Sequence, residues 1–194
     1  MFATLDALAE AAIAGRLISF PTDTVPALAA RSDRAELVFA AKRRDRSKPL
    51  ILMGANPSDL WTFVKGTDTD LDNWKAIADR YWPGAITFVL PASDRLPKEI
   101  NPIDPTTVGL RIPDCTIARQ LLEITGPLAT TSANLSGEPP LENLAEIRDR
   151  FPEAMVLAPE LAEPGSGQPS TVVKWTETGW KLLRQGGVLW HETI

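Results

Sequence analysis

The chain contains one cysteine, Cys115, and one histidine, His191. A single cysteine excludes an intrachain disulfide and a cysteine-cluster metal site. The lone histidine stands at the end of the chain, where fraying is expected, so a Ser-His-Asp triad has no base to draw on. Cys115 has no basic neighbour in sequence and reads as structural. No apolar run approaches the ~20 residues of a membrane-spanning helix. Residues 1–15 lack a basic start and read as an amphipathic helix instead of a secretory leader. Positive charge is in the minority: 20 Lys and Arg against 25 Asp and Glu give a net charge of −5. A module that held nucleic acid by its phosphates alone would usually be basic. The P-loop pattern and the Rossmann glycine fingerprint are both missing, as are internal repeats and low-complexity tracts. The expectation is a cytoplasmic protein with neither membrane contact nor a protein-held metal.

What is present is an ordinary globular composition, 44% hydrophobic and 23% charged over 194 residues. Leu5, Leu8, Ala9, Ala12 and Ile13 recur at helical spacing, and Gly15 follows as a cap. Further helices are expected over 35–41, 70–81, 116–124 (with Ile117, Leu121 and Ile124 on one face) and 141–150. Strands are expected over 17–20, 49–53, 86–90, 108–112, 128–131, 155–157, 171–175 and 180–184, the last two joined as a hairpin through 177–179. Alternating helices and strands argue for one α/β domain over residues 1–194, with a twisted mixed parallel and antiparallel sheet flanked by helices. Glu163 to Pro169, with two glycines and two prolines, reads as a mobile loop.

Several polar loops follow strands or helices. Lys42-Arg43-Arg44-Asp45-Arg46-Ser47-Lys48 carries five basic residues and one acidic, a local charge of +4. Lys as a point charge and Arg as a fork suit a polyphosphate; the plainer alternative is a solvated loop. Thr130 to Gly137 offers hydroxyls, an amide and a small-residue backbone for a phosphate or a purine edge, or simply a polar turn. Thr22-Asp23-Thr24 can hold a polar ligand or cap a helix. Gln168-Pro169-Ser170-Thr171 and Leu183-Arg184-Gln185-Gly186-Gly187 are weaker signals of the same kind. Together they describe anion or nucleotide binding, with catalysis by positioning and charge neutralisation.

At these same loops the chain resembles the YrdC/TsaC family. The family's Lys-x-Arg-x-x-x-Lys matches Lys42, Arg44 and Lys48, and its Thr-Ser-Ala-Asn-x-Ser-Gly matches Thr131 to Gly137. Phe20 to Val25, Trp82 to Thr87, Thr107 to Pro113, Pro169 to Thr171 and Leu183 to Gly186 resemble further family blocks, in family order. The departure is at Pro26-Ala27-Leu28-Ala29, where the family usually has Tyr-Gly-Leu-Gly. Two glycines become alanines there, so a turn of altered shape is expected. The match is to the short, single-domain form.

The resemblance implies a basic concave cleft and an adenylyl-transferring enzyme. It would join L-threonine and bicarbonate, activate the carbamate with ATP, and hand threonylcarbamoyl-AMP to a transferase complex that modifies adenosine 37 of tRNA. It implies Lys42, Arg44 and Lys48 as catalytic cations. Arg44, Lys48, Thr107, Ser132, Asn134 and Arg184 are implied as ATP contacts, and Thr22, Arg111, Thr131 and Ser170 as the threonine pocket. Mg2+ would ride mainly on the ATP phosphates. Weak RNA binding is compatible with the resemblance. An RNA-binding module without ATP turnover is the competing reading, against which the acidity and the lack of a stacking pattern weigh. Carbamoyl transfer from carbamoyl phosphate ranks lower, since its YrdC-like domains sit in large zinc-binding chains. A catalytically silent regulator is the third alternative.

Overall fold

The computed structural model describes residues 1–192. All ten strands join one mixed sheet, in the order β1-β8-β2-β3-β7-β4-β6-β5-β9-β10. In chain order the strands are β1 (Phe2–Ala3), β2 (Ile18–Phe20), β3 (Ala27–Arg31), β4 (Ile51–Met53) and β5 (Ile86–Pro91). They continue with β6 (Thr107–Arg111), β7 (Leu128–Ser132), β8 (Met155–Leu157), β9 (Thr171–Thr176) and β10 (Gly179–Arg184). The middle of the sheet, from β2 through β3 and β7 to β4, is antiparallel; β8, β6 and β9 add parallel pairings to β2, β4 and β5. The expected hairpin is there as β9 and β10, antiparallel with Gly179 opposite Thr176.

Six α-helices cover the sheet: α1 (Leu5–Ile13), α2 (Glu36–Lys42), α3 (Pro57–Trp61), α4 (Asp68–Tyr81), α5 (Thr116–Thr125) and α6 (Leu144–Arg150). Each has a local cause. Thr4 caps α1, whose face of Leu8, Ala9, Ala11 and Ala12 is buried, and Gly15 leaves the helix at φ +78°. Thr67 and Asp70 form a capping box at the start of α4. Burial in α5 falls on Ala118, Leu121 and Leu122, while Ile124 is exposed, so the buried face is rotated from the one expected through Ile124. α1 packs on α5, and α2 on β3 and β7. Rings of Trp74, Tyr81, Phe88, Trp175, Trp180 and Trp190 pack in an unbroken cluster that ties α4 to β5, β9 and β10.

Two further expectations change. Pro26 to Ala29 is not a turn: Ala27–Arg31 is strand β3, paired on both sides, and its alanines need no left-handed backbone. Nor is 163–169 a loose loop. Ser166 and Gly167 donate their amides to the carbonyls of Asp23 and Thr24, both at 2.9 Å. Gly165 passes so close that a Cβ there would lie 2.3 Å from the Thr24 oxygen. The segment is a strap laid across Thr22–Thr24.

Candidate active site

A cavity of about 320 Å³ opens over the sheet's middle, on Ala27 of β3, Thr130 of β7, Ile51 and Met53 of β4 and Arg111 of β6. That volume falls in the range of small-ligand sites. The small side chains of β3 leave the room.

Arg111 anchors one end. It is buried and spends three of its five N–H groups on the protein. Its Nε donates to the Gly84 carbonyl at 3.3 Å, one terminal nitrogen to the Thr24 hydroxyl at 2.9 Å, and the other to Asp23 at 2.6 Å. One N–H on each terminal nitrogen is left without a protein partner, the pair a ligand carboxylate can accept. Beside it the hydroxyls run in a fixed direction. Thr24 accepts from Arg111, so its own proton goes to Thr22, 3.0 Å away, and Thr22 donates to the Val25 carbonyl at 2.8 Å. Thr22 also accepts the Thr24 amide. One proton and both lone pairs of Thr22 are thus committed. Thr22 shapes the wall, and its hydroxyl keeps neither a proton nor a lone pair for the ligand contact expected of it.

Lys42 occupies a different place from the one expected of a phosphate contact. It is fully buried at the end of α2. Its ammonium donates to the Ser132 carbonyl, to the Asn134 carbonyl at 2.6 Å and to the Asn134 side-chain oxygen at 3.1 Å. Burial, and after it the charge of Arg44, pull this group down to about 7. Three oxygen acceptors oppose that pull, because only the ammonium has three N–H bonds to give. Asn134 is equally committed: its amide nitrogen donates to the Leu135 and Glu138 carbonyls, both at 2.7 Å, and its oxygen also accepts from the Ser132 hydroxyl at 2.6 Å. Lys42 and Asn134 therefore build the 132–138 loop from inside and do not present free groups to the cavity.

Arg44 does line the cavity, fixed by donating to the Lys48 and Pro49 carbonyls at 3.0 and 3.1 Å. Arg184 comes from β10 and donates to the Ser170 carbonyl at 3.1 and 2.8 Å. Ser170 is buried, and its hydroxyl meets that of Thr87 at 2.9 Å. Gly186 lets the chain after β10 pass against the backbone of 169–171, since a Cβ there would sit 2.2 Å from the Pro169 oxygen. Burial lowers the pKa of all three cleft arginines from the usual guanidinium range, and Arg184 adds its repulsion on Arg44 and Arg111. The two nearby acids are already engaged, Asp23 by Arg111 and Glu138 by Arg150; Arg44 and Arg184 have no carboxylate partner among the described residues, which leaves a standing demand for an anion.

The structure brings Thr22, Arg44, Arg111, Thr131, Ser132, Asn134, Ser170 and Arg184 around one cavity. Lys48 is exposed on the turn whose carbonyl holds Arg44, outside the lining. Thr107 is not brought in. It lies at the far end of β6, about 13 Å from Arg111 at ~3.3 Å per residue, and its hydroxyl is shared with Asn101 and Asp104. His191 is exposed and no part of the cavity. The sequence reading did not single out Asp23 and Thr24 as the partners of Arg111, because 88 and 87 residues separate them from it. Nor do the apolar floor residues Ile51 and Met53 carry a motif. No cluster of three or more metal-ligating side chains occurs among the described residues.

A family model for Sua5/YciO/YrdC, described as "Telomere recombination", matches residues 10–186. The threonylcarbamoyl-AMP synthase of Pyrococcus abyssi (strain GE5 / Orsay) is 34% identical over 179 residues, 90% of this chain and 51% of that protein. That of Chromohalobacter salexigens is 34% identical over 176 residues, 87% of this chain and 92% of that protein. Among solved structures, P. abyssi Sua5 complexed with L-threonine superposes with a TM-score of 0.82 at 31% identity, over 94% of this chain and 54% of that one. The chain spans about half the length of the Pyrococcus relative.

Proposed function

This chain belongs to the Sua5/YciO/YrdC family, and from that premise we propose that it makes threonylcarbamoyl-AMP from L-threonine, bicarbonate and ATP. The observation that carries the reading is the convergence of Arg44, Arg111 and Arg184, from three separate segments, on one hydroxyl-lined cavity. Threonine brings a carboxylate and ATP a polyphosphate, and the two must sit side by side.

In the proposed reaction the threonine amine adds to bicarbonate with loss of water, giving a carbamate. A carbamate oxygen attacks the α-phosphorus of ATP, and the bond to pyrophosphate breaks. The class is nucleotidyl transfer. Arg111 takes the threonine carboxylate with its two unpartnered N–H groups, and Thr131 and Ser170 flank the amino acid. Arg44 and Arg184 face the phosphates from the cleft and Lys48 from the exposed turn beside it, where negative charge grows in the transition state. Ser132 contributes its hydroxyl to the nucleotide side. Lys42 and Asn134 act one step back, by holding the loop that carries Ser132. Thr107 has no part in this scheme. Mg2+ rides on the nucleotide, because the nearby carboxylates of Asp23 and Glu138 are paired with Arg111 and Arg150. The product passes to a threonylcarbamoyl transferase acting on tRNA.

The test is pyrophosphate release from the purified chain with ATP, Mg2+, threonine and bicarbonate. Release that needs both co-substrates, and falls when serine replaces threonine, is the expected result. Release independent of threonine, or none while both ligands bind, sinks the reading.

A further inference from the structure

A second cavity, larger than the first, adjoins it. A groove of about 700 Å³ has an apolar floor of Leu17, Leu37, Ala40, Ala41 and Leu135. Arg16, Arg43 and Arg150 stand around it, with Glu153 as the one acid of the lining. Arg150 is engaged by Glu138 at 2.8 Å. Arg16 and Arg43 have neither an ion-pair partner nor a side-chain hydrogen bond among the described residues.

Arg43 is also the only non-glycine residue at positive φ among the described residues, at φ 49° and ψ 42°. It ends α2, at a position where glycine is the ordinary choice. A bulky cation is kept there against the backbone's preference, and it lines the groove.

The groove and the cleft share a wall. Arg43 stands between Lys42, which clamps the 132–134 backbone, and Arg44, which lines the cleft. Leu135 follows Asn134, and the Ser136 amide donates to the Lys42 carbonyl at 3.1 Å. The ion pair between Arg150 of the groove and Glu138 of the cleft crosses the same wall.

We propose that this groove binds a small organic anion, its phosphate or carboxylate head between Arg16 and Arg43 and its apolar body on the leucine floor. Occupancy is felt in the cleft through the shared wall. The volume is that of a small-ligand site. A leucine floor without aromatic rings favours an aliphatic body over stacked bases, so an RNA strand is the poorer occupant. The site is independent of the reaction proposed above.

The test uses octyl phosphate as probe, with inorganic phosphate and a single-stranded RNA oligomer as controls, on the full 15N-labelled chain. Wild type is compared with the double variant Arg16→Ala/Arg43→Gly; glycine suits the left-handed position, so that change keeps the fold. Saturable shifts of the amides of Gly15–Leu17, Ala40–Arg43 and Leu135 are expected, with Ser132–Asn134 following. The double variant should bind about tenfold or more weakly, having lost both free guanidiniums. Absence of saturable shifts in the groove, or equal affinity in the double variant, overturns the site. Equal binding of inorganic phosphate overturns the apolar half, and binding of RNA alone makes this a polynucleotide contact instead. Shifts at Ser132–Asn134 that persist in the double variant overturn the coupling.

Discussion

Two lysines of one short motif have opposite tasks. Lys42 is buried under the 132–138 loop and holds three oxygens; Lys48 is exposed on the turn beyond it. Lys42→Met leaves buried acceptors without a donor, and should lower stability by about 2–4 kcal/mol in urea unfolding, with ATP affinity falling as the loop loosens. Lys48→Ala should leave the urea midpoint unchanged and abolish pyrophosphate release. A Lys42→Met midpoint equal to wild type would show that the clamp carries no stability. Cys115 makes a separate case. Its buried thiol donates to the Pro21 carbonyl at 3.7 Å, and burial pushes it up to about 11. A thiol with a native pKa above its unfolded value gives stability that is complete below the unfolded pKa and lost as pH rises through the native one. The window therefore runs from about 8.5–9 to about 11. Wild type should lose stability across that window relative to Cys115→Ala. Iodoacetamide should label the native thiol at pH 8 far more slowly than the unfolded one. Parallel stability curves for the two proteins would refute the assignment.

At the scale of elements, the strap over 163–169 makes the sharpest prediction. Its contact with Thr22–Thr24 is backbone on backbone, so Gly165→Ala cannot be absorbed by a rotamer change. The expected cost is about 1–3 kcal/mol, read as a lower urea midpoint. Weaker threonine binding should accompany it, because Thr24 supports Arg111. An unchanged midpoint and affinity would mean that the strap carries nothing. The strap was expected to be loose because prolines and glycines mark loops locally, whereas its anchor lies 143 residues away in the chain. The same distinction decides what else was legible. α1, α4 and the β9–β10 hairpin announce themselves through Gly15, the breaker cluster after Tyr81 and the Gly179 turn, all local signals. β3 does not: Ala27, Ala29 and Ala30 have little strand preference, and the pairing to β2 and β7 imposes the conformation. β1 has two residues and α3 five, too few for a period. In the site, motif spacing pointed to eight residues that gather around the cavity, and also to Lys42, Lys48 and Thr107, which do not line it. It could not separate Arg44, which faces the cavity, from Lys42, which faces inward, because burial is decided by the partner loop 90 residues on.

At the scale of the molecule, the sheet order interleaves the two halves of the chain. β8 lies between β1 and β2, β7 between β3 and β4, and β9 against β5. No cut in sequence separates one set of strands from another. The cleft is drawn from the same spread, since Thr22, Arg44, Arg111, Ser132 and Arg184 come from five stretches of chain. Local opening that leaves the cleft intact has little structure to work with, and the cleft should vanish with global unfolding. Unfolding in urea should therefore be a single transition, coincident by tryptophan fluorescence, which reports the ring cluster around Phe88, and by far-UV circular dichroism. ATP and threonine bind the folded state alone, so each should move the whole transition by RT ln(1 + [L]/Kd), about 2.7 kcal/mol at a ligand concentration of 100 Kd. Raising ionic strength should shrink the ATP shift, because the attraction comes from three arginines in a chain whose net charge is −5. Two resolved transitions, with the ligand moving only one, would place the cleft in a unit that folds without the aromatic cluster.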